Sequence, residues 1–186
     1  MRILVTGSVA AGKSTVTKLL SEHLPTYKVF NISDIVIDNK LYCERDERFD
    51  SLIPCDDRLL NWFVDNVNQE PNIIVDHHSF DIFGDRYFSL IVIVKCQDAN
   101  GDFKTLRKRL VERKYSEDKI LENLECEIMS TCAEDARRFK GMKFEFNNSS
   151  QQMLEKGIDD LLGLIKRMDA GEIIVNQNRL AECVAC

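Results

Sequence analysis

The chain of 186 residues is long enough for one domain with a sizeable core, and its 44% hydrophobic and 30% charged content is ordinary for a globular protein. A formal net charge of −6 argues against a non-specific nucleic-acid binder, which carries an excess of Lys and Arg. No apolar run approaches the roughly 20 residues that span a membrane, and the first one is too short for a signal peptide.

In chain order, residues 2–6 (RILVT) predict a short apolar strand. Residues 13–24 carry apolar side chains at 16, 19, 20 and 24, a helical spacing that Pro25 ends. A second strand is expected at 28–32, then a helix from a Ser33 N-cap. Residues 43–58, polar, charged and interrupted by Pro54, read as a loop. Residues 56–69 form an amphipathic helix with 59, 60, 63, 64 and 67 on one face. The runs 72–76 (NIIVD) and 89–96 (SLIVIVKC) are near-continuously apolar, as in strands of a parallel sheet buried on both faces. Residues 98–102 (DANGD) read as a surface loop. Helices are expected at 103–114, from 116 to about 138, and at 151–168, with a last strand at 142–148. The alternation predicts an α/β, doubly wound, three-layer fold around a mostly parallel five-stranded sheet, occupying residues 1–170. Residues 171–186 read as a loosely attached tail.

The segment Gly7-Ser8-Val9-Ala10-Ala11-Gly12-Lys13-Ser14 matches G-x-x-x-x-G-K-[ST] in full, between a strand and a helix. Gly7 and Gly12 let the backbone turn so that successive N–H groups face anionic oxygens. Lys13 reaches the β- and γ-phosphates as a point charge, Ser14 offers a hydroxyl to Mg²⁺, and the helix aims its positive end at the ligand. Ala10 and Thr15 complete the expected ATP-binding set. Asp76, closing its apolar strand, fits the carboxylate that orients the water shell of Mg²⁺. His77 and His78 follow at once and suit either a structural or a chemical role; no third ligand stands at a zinc-like spacing. Arg109 and Arg113, four apart, share a helical face and suit either a phosphate clamp or a solvated basic surface. No Asn-Lys-x-Asp segment reads guanine, which argues against a GTPase.

With "LVTGSVAAGKST", "NISD" at 31–34, "IIVDHHSFDIFGDRYF" at 73–88 and "RLVERKYSEDKILENLECEI" at 109–128, the chain resembles the adenylate kinase isoenzyme 6 family from residue 2 to about 135. These are small P-loop proteins of nucleoside-monophosphate-kinase architecture with a role in ribosome maturation. The resemblance implies that His78 is the histidine of the family's Asp-aromatic-His segment, linked to ATP hydrolysis. It implies that Arg113, with Tyr115, begins a very short lid at about 112–122, and that Arg109 and Arg113 stabilise the passing phosphoryl group. Asp34 falls in the segment that receives the monophosphate, at about 30–53, and Arg86 is the expected ligand of the acceptor phosphate.

One departure matters. The family has an arginine three residues after the Asp34 position, where this chain has Ile37. Losing such a charged hydrogen bond costs about 1.5–3 kcal/mol, and Lys40 could replace it only as a point charge. The expected activity is phosphoryl transfer from Mg·ATP to a nucleoside monophosphate, AMP first and CMP or dAMP next, together with ATP hydrolysis. The alternative is mainly an ATP-driven assembly switch acting on a basic small-subunit ribosomal protein or pre-ribosomal particle. Residues 44–57, with six carboxylates against two arginines, would suit such a partner. A small-metabolite kinase of the shikimate type is a more distant option. Neither sequence-specific nucleic-acid binding nor a membrane is expected. Seven cysteines, at 43, 55, 96, 126, 132, 183 and 186, suit free thiols in a reducing compartment, hence nucleus and cytoplasm. The terminal C-x-x-C lacks further zinc ligands and a polybasic stretch for lipidation.

Overall fold

The computed structural model describes residues 1–47, 51–79, 81–84 and 87–173. Five strands, β1 (Arg2–Thr6), β2 (Lys28–Asn31), β5 (Ile73–Asp76), β6 (Leu90–Lys95) and β7 (Met142–Asn147), form one sheet in the order β2-β5-β1-β6-β7. All four pairings are parallel. Such pairings need crossovers, supplied by α1 (Lys13–His23), α2 (Ile32–Asp38), α3 (Asp56–Asn66), α4 (Lys104–Glu112), α5 (Glu117–Ile128), α6 (Thr131–Ala136) and α7 (Gln151–Asp169). The expected doubly wound three-layer architecture is therefore present.

Burial explains why the central strands read as unbroken apolar runs. Ile3, Val5, Ile74, Leu90, Val92 and Val94 belong to one core, packed with Val16 and Leu20 of α1 and Leu161 and Ile165 of α7. Leu4, Ile73, Val75, Ile91 and Ile93 point the other way, into a second core with Val36, Leu59 and Phe63. Both faces are covered, so successive residues must all be apolar. The edge strands β2 and β7 carry mixed burial, and their sequence signal is weaker.

Four local expectations are corrected. Residues 43–58 are not simply a loop: β3 (Tyr42–Asp46) and β4 (Ser51–Pro54) pair antiparallel as a separate two-stranded sheet. A ribbon so short buries little, so it lacks the alternation that would reveal it. The N-cap of α2 is Asn31, whose side-chain oxygen accepts from the Asp34 N–H, and Ser33 already lies inside the helix. In α3 the buried stripe is Leu59 and Phe63, continued by Val67 beyond the helix end, while Leu60 and Val64 face outward, because the sheet covers only one narrow side. The long helix expected over 116–138 is two helices, broken where Ser130 adopts φ 52°. Ile120 of α5 belongs to the first core and Ala136 of α6 to the second. One straight helix cannot serve both faces of a sheet, so the chain turns between them.

The segment 98–102 is a surface turn held by Asp98, which accepts from the Thr105 N–H and hydroxyl at 2.9 and 2.6 Å. The tail expectation at 171–186, with its C-x-x-C, falls mostly outside the described residues. No helix among the described residues is long and apolar enough to cross a membrane.

Helix α7 offers a paired test of this packing. A Cβ on buried Gly157 would stand 2.2 Å from the Phe146 ring, whereas one on Gly163 meets nothing within 4 Å. Gly157→Ala is expected to destabilise the fold by about 1–3 kcal/mol through overpacking. Gly163→Ala is expected to stabilise it by about 0.5–1 kcal/mol through helix propensity. Urea denaturation of the two variants measures both.

Candidate active site

The phosphate loop leaves the carboxyl end of β1, the strand flanked by β5 and β6, where the sheet order reverses direction. Its glycines are required by geometry. Gly7 has φ 145° and a Cβ there would lie 2.2 Å from the Val94 carbonyl oxygen. Gly12 has φ 107° and a Cβ there would strike the Asn148 side chain at 2.1 Å. Ala10 also adopts a left-handed conformation, φ 64°, a strain that must be held by its surroundings.

Turning amide N–H groups toward an anion sends the carbonyls elsewhere, and each of those needs a donor. Lys13 Nζ donates to the Gly7 and Ser8 carbonyls at 2.9 and 3.0 Å. Arg109 Nη1 donates to the Ala10 and Ala11 carbonyls at 3.4 and 3.3 Å, and its Nη2 to the Asn148 carbonyl at 2.8 Å. Asn148 Nδ2 donates to the Ala11 carbonyl at 2.8 Å.

Beside the loop, parallel register sets Val5 against Asp76, which brings the carboxylate level with the loop's start. Ser14 Oγ donates to Asp76 Oδ2 at 2.7 Å. These two hard oxygens beside the loop fit Mg²⁺, which prefers oxygen ligands and keeps several of its waters. Ser14 would be a direct ligand and Asp76 would act through water. His77 is buried, its ring 4.2 Å from that of His78, while His78 is exposed to the cleft. The His78 carbonyl accepts from Thr6 Oγ1 at 2.8 Å and from the Cys132 thiol at 3.6 Å, pinning this turn to β1 and α6. Burial lowers the Lys13 pKa below the ordinary lysine value, with Asp76 opposing the shift. Burial and then the Lys13 charge lower that of His78.

These groups line a cleft of about 590 Å³. Its floor is the phosphate loop, including Ala10, Gly12, Lys13, Ser14 and Thr15, with Asp76, His77 and His78 at the side. One wall is Arg113, Tyr115 and the cleft-facing residues Lys119, Glu122 and Asn123 of α5. The opposite wall is Asn31 and Ser33 at the start of α2, with Asp46 and Ser51 of the hairpin. The phosphate loop and the polar residues at the start of α2 and in the hairpin therefore line one cavity.

The structure separates the two arginines expected as a clamp. Arg113, the C-cap of α4, lines the cleft; Arg109 does not, because loop carbonyls on the outer side engage its guanidinium. Helical spacing set their backbones on one face without setting where the side chains find partners. Asp34 is exposed in the first turn of α2 and does not line the cleft, whereas its neighbour Ser33 does. Ile37, 57% exposed, lies one turn after Ser33 on the same helical face. Lys40 stands past the end of α2 with φ 54° and does not line the cleft. Arg86 lies outside the described residues. Sequence reasoning missed Asn148 and Glu127, both buried against the loop, and the hairpin wall. The only signal for Glu127 was its place in "ECEI", part of the stretch that carries the family resemblance.

The buried histidine carries a pH consequence. Burial, then the charges of His78 and Lys13, push His77 down to about 3 from 6.5. Above about pH 7.5 both folded and unfolded states hold it neutral; below 6.5 only the unfolded state gains the proton, so stability is lost as pH falls toward 3. From pH 7.5 to 5 this contributes a loss of about 2 kcal/mol. His77→Phe, which keeps an aromatic beside Phe83, is expected to lose about 2 kcal/mol less over that interval, measured by urea denaturation of the metal-free protein.

A family model described as an AAA domain matches residues 3–130. An adenylate kinase isoenzyme 6 homolog of Caenorhabditis elegans is 33% identical over 165 residues, covering 87% of each chain. One from Saccharomyces cerevisiae is 38% identical over 134 residues, covering 72% of this chain and 65% of that protein. Among solved structures, a shikimate kinase from Bacteroides thetaiotaomicron superposes with a TM-score of 0.60 at 17% identity, covering 89% of this chain and 98% of that one. So low an identity shows a shared fold alone. The relatives decide the narrower question: the chain belongs to the adenylate kinase isoenzyme 6 family and is a phosphotransferase of the P-loop kinase type.

Proposed function

We propose that the protein transfers the γ-phosphoryl group of Mg·ATP to a nucleoside monophosphate, AMP first with CMP or dAMP next, and also hydrolyses ATP. The observation that carries this reading is the single cleft whose two ends differ. One end is built of loop amides, Lys13 and the Ser14–Asp76 pair; the other is polar, walled by Asn31, Ser33, Asp46 and Ser51. Phosphoryl transfer needs donor and acceptor in line and the developing charge neutralised, with little covalent work for the protein.

Lys13 would exchange its loop carbonyls for the β- and γ-phosphate oxygens. Arg113 sits at the lid end of the same cleft, where a guanidinium can meet the passing phosphoryl group. Arg109 would act at one remove, by holding the Ala10 and Ala11 carbonyls outward. Mg²⁺, when bound, supplies charge neutralisation between the phosphate oxygens. His78, which lines the cleft and feels the Lys13 charge, would orient a water or the acceptor, the route proposed for hydrolysis.

A second reading is favoured by Ile37. An apolar side chain, 57% exposed, occupies the face where the family has an arginine, so the acceptor end lacks one phosphate ligand. That weakens monophosphate binding by roughly 10- to 100-fold and leaves the ATP end untouched. The protein would then act mainly as an ATPase switch on a basic small-subunit ribosomal protein or pre-ribosomal particle, in nucleus and cytoplasm. The acidic segment around β3 and β4 supports such a dock.

Turnover of Mg·ATP, with and without a panel of monophosphates, separates the readings: a second nucleoside diphosphate marks the kinase, and ADP from ATP alone the switch. Lys13→Met is expected to abolish both, and turnover within about tenfold of wild type would remove the site assignment. Ile37→Arg is expected to lower the KM for AMP by about tenfold or more. No change, together with tight AMP binding by the wild type, would show that another residue holds that phosphate.

A further inference from the structure

Glu127 is a charged residue only 7% exposed, and phosphoryl transfer itself gives it no part. A buried carboxylate is tolerated when its oxygens are paired, and here each has a donor. Oε2 accepts from Ser8 Oγ at 2.5 Å and Oε1 from the Cys96 N–H at 2.6 Å. Ser8 is the second residue of the phosphate loop, and Cys96 follows the last residue of β6. Glu127 is the last residue but one of α5, shortly before the turn at Ser130 that carries the chain from one face of the sheet to the other.

Three features set this apart from an ordinary packing contact. Ser8 is held on two sides, its hydroxyl by Glu127 and its carbonyl by Lys13 Nζ at 3.0 Å. The negative charge of Glu127 also reaches Lys13. When Lys13 leaves the loop carbonyls for a phosphate, the Ser8 carbonyl keeps the Ala11 N–H at 3.2 Å, a bond within the loop itself, and the bond to Glu127 still ties Ser8 to another element. The helix that carries Glu127, α5, also brings Lys119, Glu122 and Asn123 to the cleft and begins directly after Arg113–Ser116.

We propose that Glu127 is a positioning residue for the phosphate loop: through Ser8 it holds the loop in its phosphate-accepting shape and ties that shape to α5, which also lines the cleft. This rests on the phosphotransferase reading and deepens it. The carboxylate touches no reacting atom; it acts through Ser8 and the Lys13 carbonyl contacts.

Ser8→Ala removes one hydroxyl and leaves Glu127 its bond to Cys96, so it tests the link even where Glu127→Gln folds poorly. Each variant is expected to lower kcat by about tenfold or more with the monophosphate KM unchanged, since one charged hydrogen bond is lost. The double variant is expected to be no slower than the slower single one, because both changes cut the same link. Amide hydrogen exchange in the ligand-free protein is expected to speed up at residues 8–14 and stay unchanged in β7 and α7. A kcat per folded molecule within about twofold of wild type in both variants overturns the proposal, as does unchanged exchange at 8–14. A wild type that forms ADP from ATP but no second nucleoside diphosphate with any of the monophosphates refutes the transfer reading alone. The exchange comparison then still decides for or against Glu127.

Discussion

A loop that points its amides at a phosphate must dispose of its carbonyls, and much of this site follows from that requirement. Four carbonyls, from Gly7, Ser8, Ala10 and Ala11, take donors from Lys13, Arg109 and Asn148. The left-handed backbone at Ala10 and the near-contact of Gly12 with Asn148 are tolerated because these donors surround the loop. The elements that supply them are far apart in the chain. Arg109 comes from α4 and Asn148 follows β7, so the loop's shape depends on the folding of the whole sheet.

The sheet makes such convergence possible. In parallel order β2-β5-β1-β6-β7, every strand delivers its carboxyl end to the same edge. The loop, Asp76 and Asn148 therefore gather there although more than 130 positions separate the first from the last. Both faces are buried, which forces apolar residues at every position of the central strands. The turn at Ser130 belongs to the same constraint: α5 serves one core and α6 the other, and the chain crosses at the edge where Glu127 meets the loop.

The two ends of the cleft are built differently. The phosphate-loop end is built of backbone whose carbonyls are paired with Lys13, Arg109 and Asn148. The end proposed to take the acceptor is built from a short helix and a two-stranded ribbon with little buried area. Ile37 belongs to that short helix, on the face of Ser33, but is not among the residues that line the cleft. An apolar residue there disturbs no core, because its side chain is largely solvent-exposed. Kinase and switch activities differ in how much they demand of that end, which is why one residue weighs on the choice between them.

Much of the architecture was legible in the sequence. The five strands and most helices follow from apolar runs and helical spacing, since burial imposes those patterns locally. The phosphate loop with Lys13 and Ser14, and Asp76 at a strand end, are legible for the same reason: each sits at a position defined by its own element. Tertiary structure decided the rest. Whether Arg109 faces the cleft or the loop's outer carbonyls depends on where α4 packs, and spacing carries no information about that. The break at Ser130 depends on which core each half-helix meets, and the pairing of Glu127 with Ser8 joins residues 119 positions apart. Sequence by itself determined most of the elements and the residue types of the phosphate loop, because those follow from short-range pattern. Only the folded sheet decided which side chains converge on the loop, because that depends on partners brought together from across the chain.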